Sequence, residues 1–144
     1  MKPIIALTVV ATTLLAAAPA PAGTRSGEPA SGARDGERCY RAVAEKRKTS
    51  VGVHQWTIRQ IDRWCARASR VVSARQRLEI ETGSGWRLIS KRGRAAVKEG
   101  KAISRSRYHF RLRYSGGYEQ NCYPRLVGRL RASGRARYRL DVGC

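Results

Sequence analysis

The stretch NCYPRLVGRLRASGRARYRLDVGC (Asn121–Cys144) decides the fold. Its even positions carry Cys122, Pro124, Leu126, Gly128, Leu130, Ala136, Tyr138, Leu140, Val142 and Cys144. Its odd positions carry Arg125, Arg129, Arg131, Arg135, Arg137, Arg139 and Asp141, with Val127 the exception. Alternation with period two marks a half-buried pair of strands. Ala132-Ser133-Gly134 separates the two runs, and a three-residue hairpin loop wants glycine at its third, left-handed position. That loop sets Arg131 against Arg135, and facing residues then have position numbers summing to 266. Cys122 therefore faces Cys144, Leu130 faces Ala136, Leu126 faces Leu140, and Tyr138 lies over Gly128. On the other face Arg129 meets Arg137 and Arg131 meets Arg135, and like charges directly opposite destabilise a ladder. Only Arg125 with Asp141 looks compensated.

Charge and cysteine usage bound the rest of the chain. The 144 residues include 30 Lys plus Arg, 10 Asp plus Glu and four cysteines, a balance expected of one small exported domain. Residues 1–22 read as a signal peptide: Lys2 opens it, Ile4 to Ala18 form the apolar region, and Ala20-Pro21-Ala22 offers a cleavage site. The apolar run is too short for a comfortable membrane span. Its removal leaves 29 basic against 10 acidic residues, +19. Such a charge favours anionic partners. Arginine outnumbers lysine 24 to 6, a ratio that a GC-rich genome also produces. Export places the cysteines in an oxidising setting, where an even count is read as disulfides. No C-x-x-C occurs, so zinc is not expected.

Residues 23–37 (GTRSGEPASGARDGE) read as a flexible spacer, and residues 38–144 as a single secreted β domain. Cys39 to Lys48 is ambiguous between a short helix and an irregular edge strand, because its Ala, Glu, Lys and Arg favour helix. Val53 to Arg67 reads as a long strand with Trp56, Ile58 and Trp64 on one face, Ile61 and Cys65 interrupting the other. Val71 to Glu81 follows with Val72, Ala74, Leu78 and Ile80 inward. Trp86 to Ser90 is a short strand, and Lys91 to Lys101 an exposed loop or brief helical turn. Tyr108 to Tyr114 alternates again, with Tyr108, Phe110, Leu112 and Tyr114 inward. The expected fold is all-β: a small antiparallel sandwich or curled, barrel-like sheet of five to six strands with two disulfides. If Cys122 pairs with Cys144, then Cys39 pairs with Cys65. The rival connectivity links Cys65 to Cys122 across the core.

The leader and spacer, Trp64-Cys65 closing the first long strand, Tyr123-Pro124-Arg125-Leu126 opening a late one, and the terminal glycine hairpin resemble features of small secreted β-rich actinobacterial proteins of uncharacterised function. The resemblance covers about residues 50 to 144, and it implies fold and export only.

Two arginine faces carry the strongest functional signal: Arg107, Arg111 and Arg113 on one strand, and Arg125, Arg129, Arg131, Arg135, Arg137 and Arg139 on the hairpin. If the strands are neighbours, these form a single patch. Guanidinium forks match phosphate, sulfate and carboxylate. The expected function is an extracellular polyanion-binding module, with cell-wall teichoic acid or other phosphate polymers first, and nucleic acid or sulfated glycan as further partners. One alternative is a small secreted nuclease using His54 and His109, with Glu79, Glu81 or Glu119 as carboxylate partners. Another is a cationic antimicrobial protein, although no basic amphipathic helix is evident. Tyr118 and Tyr123 stand apart as aromatics outside the inward set, and Trp86 beside its Gly-rich turn as a carbohydrate-stacking candidate. Nothing resembles a nucleophile elbow, a P-loop, a zinc signature or a calcium loop, and no cofactor is expected.

Overall fold

The computed structural model describes residues 25–26, 28–30 and 36–144. The leader expected over 1–22 lies outside them. Ten strands follow in order: β1 (Arg25–Ser26), β2 (Glu28–Ala30), β3 (Glu37–Ser50), β4 (Val53–Arg67), β5 (Arg70–Thr82), β6 (Trp86–Lys98), β7 (Lys101–Arg113), β8 (Glu119–Cys122), β9 (Arg125–Leu130) and β10 (Arg135–Asp141). They form two antiparallel sheets. The first has the order β2-β3-β4-β5, and the second the order β1-β10-β9-β7-β6 with β8 also paired to β7.

The closing hairpin has the register expected from its turn. Ala136 faces Leu130, Tyr138 faces Gly128 and Leu140 faces Leu126. Gly134 has φ +82°, its N–H donates to the Arg131 carbonyl at 3.1 Å, and the Arg131 N–H donates to Arg135 at 2.9 Å. Both expected disulfides are present, Cys122–Cys144 and Cys39–Cys65. On the chain-entropy account each contributes about 3 kcal/mol.

Four expectations need correction. Lys91 to Lys101 is not a loop: β6 and β7 form a long hairpin whose turn is Glu99-Gly100, both at positive φ. The segment from Cys39 is not a helix. It is the long strand β3, covered by β2 over Cys39–Arg41 only, an edge beyond that with a register shift at Lys48/Thr49, and its helix-favouring composition is overridden by the burial of Ala42 in the core. Part of the expected spacer is paired, Arg25–Ser26 with β10 and Glu28–Ala30 with β3; β2 is an outer strand, where Pro29 is tolerated. Val72 points out rather than in, because a register shift at Cys65/Ala66 lets Val71 take the inward place.

The space between the sheets is divided in three. One apolar cluster joins Ala42, Trp64, Val71, Ala102, Leu130 and Ala136, and another joins Trp56, Ile58, Trp86, Tyr108, Phe110 and Cys122. Trp56 stacks on Phe110 with ring centroids 5.1 Å apart. Between the clusters lies a polar belt of Gln60, Asp62, Ser104 and Ser106, all buried. Asp62 Oδ2 accepts from Gln60 Nε2 at 2.8 Å, Ser104 Oγ at 2.7 Å and Tyr138 Oη at 2.9 Å, while Ser106 Oγ donates to Gln60 Oε1 at 2.7 Å. Since Asp62 and Gln60 lie on β4 and the other three on β7 and β10, these bonds tie one sheet to the other. Burial raises the Asp62 carboxyl above its usual range against the pull of those three donors, and burial followed by the Asp62 charge raises the Tyr138 phenol.

Candidate polyanion-binding face

The outer face of the second sheet is built from the odd positions of β7, β9 and β10, because their even positions are turned inward. Across the strands the registers place side chains in rows. Asp141, Arg125, Arg107 and Arg92 form one row, and Arg139, Val127, Arg105 and Arg94 the next. Arg137, Arg129, Ile103 and Ala96 form a third, with Arg131 and Arg135 beyond it at the hairpin turn. The two arginine faces read from the sequence are thus neighbours, with Arg107 directly opposite Arg125. Every arginine in these rows is exposed, and among the described residues none lies within 4.0 Å of a carboxylate. Arg125 and Asp141 face each other in register, as expected, without closing to ion-pair distance.

Arg111 and Arg113 behave differently. Both reach Glu119 on β8, Arg111 at 3.6 Å, and the Arg113 hydrogen bond, with the charges of both arginines, holds the Glu119 carboxyl below its usual range. They border the patch rather than belong to its unpaired part. Arg92, Arg94 and Arg105 are members that the sequence reading missed. Their signal was available in the alternation of Arg105 with Arg107, and of Arg92 with Arg94.

The outer face of the first sheet has a different balance. Arg59 donates to Glu45 at 2.9 and 2.6 Å and to Glu79 at 3.4 Å, Arg77 reaches Glu79 at 3.3 Å, and Arg67 reaches Glu37 at 3.8 Å. In the row Arg41, Arg63, Arg75 the register sets Glu28 of β2 opposite Arg41, while Arg63 and Arg75 have no acid within 4.0 Å among the described residues. Beyond the hairpin end the second sheet borders a cleft of about 1170 Å³, lined by Arg38, Arg70, Lys101, Arg129 and Arg131 and one acid, Glu99.

The two histidines are not brought together. His54 lies on β4 of the first sheet with Nε2 2.9 Å from Thr57 Oγ1, whereas His109 lies on β7 of the second with Nε2 2.8 Å from Asn121 Oδ1. They share no partner. Of the carboxylates expected beside them, Glu79 and Glu119 are engaged by arginines. Glu37 lies close to Cys39 and Cys65, but sulfurs consumed in a disulfide are not thiolate ligands for a metal.

Among the aromatics, Trp56, Trp64, Trp86, Tyr108 and Phe110 are core residues. Trp86 is 4% exposed, so it offers no face for stacking a sugar. Tyr114 is 46% exposed rather than inward, because it lies one residue past the end of β7. Tyr118 and Tyr123 are exposed as expected. No helix among the described residues is long and apolar enough to cross a membrane. No family model, curated protein or solved structure matches the chain.

Proposed function

We propose that this protein is an extracellular polyanion-binding module that holds its ligand on the outer face of the second sheet. The observation that supports the reading is the segregation of charge. Glu37, Glu45 and Glu79 pair Arg59, Arg67 and Arg77 of the first sheet, whereas the arginine rows of the second sheet are left without ion pairs. A codon bias toward arginine would enrich both faces alike and would not by itself leave the arginines of one of them without ion pairs, even where Asp141 faces Arg125. The arrangement costs stability. Each facing like-charge pair opposes the ladder by about 0.2–1 kcal/mol, and the pairs Arg107–Arg125, Arg92–Arg107, Arg94–Arg105 and Arg129–Arg137 together cost a few kcal/mol. A bound polyanion reverses the sign of that term. Teichoic acid, nucleic acid and sulfated glycan all satisfy the charge requirement, through bidentate guanidinium contacts.

The test is the salt dependence of binding by two triple variants of the disulfide-bonded protein. R105S/R107S/R125S removes the centre of the proposed face, and R41S/R63S/R75S removes equal charge from the first sheet. On a single-stranded phosphodiester probe the first variant is expected to lower the slope of log K against log salt by about 2, at about 0.7 per lost contact. The second is expected to leave the slope unchanged. Equal losses from both would show that net charge alone, and not this face, governs binding.

A further inference from the structure

The arginine rows are interrupted by one row of another kind. β8 and β9 lie along the same side of β7 in one continuous register: Phe110 faces Cys122 in β8, and Arg107 faces Arg125 in β9. Both pairs sum to the same number, so the linking residues Tyr123 and Pro124 fall opposite His109 and Tyr108. Pro124 has no N–H to give the ladder, which breaks the strand there, but its carbonyl still accepts from Tyr108 N at 3.0 Å. Tyr123 is therefore the cross-strand partner of His109. Their rings stack with centroids 4.6 Å apart and planes 22° from parallel.

Both rings belong to the outer face. His109 lies between the buried Tyr108 and Phe110, and Tyr123 lies between the buried Cys122 and Pro124. Tyr123 is 50% exposed. On its far side the neighbouring strand contributes Gly143, whose carbonyl accepts from Tyr123 N, and beside His109 the neighbours are Ser90 and, at the register shift, the half-exposed Ile89. Gly143 and Ser90 carry no side chain long enough to overhang the stack, so the Tyr123 side of it stays open. Along β7 the residues two before and two after His109 are Arg107 and Arg111, and two after Tyr123 is Arg125. Same-face neighbours on a strand are about 6.7 Å apart. His109 is held in place by the bond from its ring to Asn121.

A rigid, half-open aromatic pair set between guanidinium groups does something that a plain arginine face does not. Phosphates need only the arginines. Aromatic and guanidinium planes additionally stack on flat heterocycles, and they reach them only where the bases are unpaired. We infer that the ligand is a single-stranded nucleic acid, with the Tyr123–His109 pair stacking a base while the unpaired Arg107 and Arg125 hold the flanking phosphates. This rests on the polyanion-binding reading and narrows it, since teichoic acid and sulfated glycans carry no planar base.

The experiment compares four probes by fluorescence anisotropy at matched salt: a single-stranded decanucleotide, its abasic counterpart with the same phosphates, inorganic polyphosphate and a sulfated glycan. The intact oligonucleotide is expected to bind from about fivefold to more than a hundredfold tighter than the abasic one, the ratio that one stacked base supplies. Y123A should bring the intact strand down to the abasic affinity and leave abasic binding unchanged. Y123F should keep the preference, because the ring and not the hydroxyl makes the stack. Equal affinity of the wild-type protein for intact and abasic strands would overturn the inference, as would a sulfated glycan that outcompetes the intact strand, or a Y123A variant that weakens both strands alike. Failure of the abasic strand and polyphosphate to bind at all would instead strike the polyanion-binding reading beneath it.

Discussion

Asp62 offers the sharpest test of how the two sheets are held together. Its Oδ2 is the acceptor for Gln60, Ser104 and Tyr138, at 2.7–2.9 Å in a fully buried site. In D62A, Gln60 Nε2 keeps its bond to Ser104 Oγ, but Ser104 and Tyr138 lose their acceptor. Each buried orphan costs about 1–3 kcal/mol, so about 2–6 kcal/mol is lost before relaxation. That is a large part of the roughly 5–15 kcal/mol a domain has in all. D62N keeps an oxygen facing the same three donors and removes a buried charge, but buries an NH2 where Oδ1 has no partner, so at neutral pH it should cost less than D62A and no more than about 1–3 kcal/mol. The pH dependence separates these cases further. Because burial raises the Asp62 carboxyl above its unfolded value of about 3.9, the folded state binds the proton more tightly. Its contribution is fully present below that value and is lost as pH rises toward the folded one. Asparagine does not titrate, so D62N should gain on wild type as pH rises from about 4. Urea unfolding of the disulfide-intact proteins at several pH values measures both effects. D62N as damaging as D62A at pH 7, or a gap between D62N and wild type that does not change with pH, would refute the reasoning.

Gly128→Ala should be costly for a related reason. A Cβ there would lie 2.5 Å from Ser104 Oγ and 2.6 Å from Tyr138 Cε1, and both side chains donate to Asp62. Overpacking of this kind costs about 1–3 kcal/mol, and thermal unfolding should show it. The C122S/C144S double variant opens a loop with a sequence separation of 22 and should lose about 3 kcal/mol by urea unfolding. A change well under 1 kcal/mol would mean that the hairpin register alone already fixes this end of the sheet.

The hairpin of β9 and β10 was fully legible because its inward positions are apolar and its turn carries glycine where the chain needs positive φ. The lower halves of β6 and β7 were not. Their inward residues include Gly93, Ser104 and Ser106, which erase the hydrophobic period. The structure gives a reason in each case: the two serines serve Asp62 and Gln60, and at Gly93 a Cβ would lie 2.3 Å from Gln76 Oε1 and 2.7 Å from Leu78 Cδ1. A polar belt inside a sandwich imitates a loop when only hydrophobicity is read. The same misreading hid Arg92, Arg94 and Arg105, whose place on the face depends on those strands existing. The stack of Tyr123 on His109 needed the register between two strands distant in sequence, although Tyr123 had stood out as an aromatic outside the inward set.

Each disulfide stays within one sheet, Cys39–Cys65 in the first and Cys122–Cys144 in the second. Apart from β1, each sheet is also a contiguous stretch of chain, divided at the turn between Thr82 and Trp86. A single cut in that turn would leave two separately cross-linked pieces with no covalent connection. Only interior contacts, and the short segment that gives β1 to one sheet and β2 to the other, would then keep them paired. Neither cross-link spans this exposed turn, where Ser84 and Gly85 both stand at positive φ, so a cut there separates β2–β5 from β6–β10.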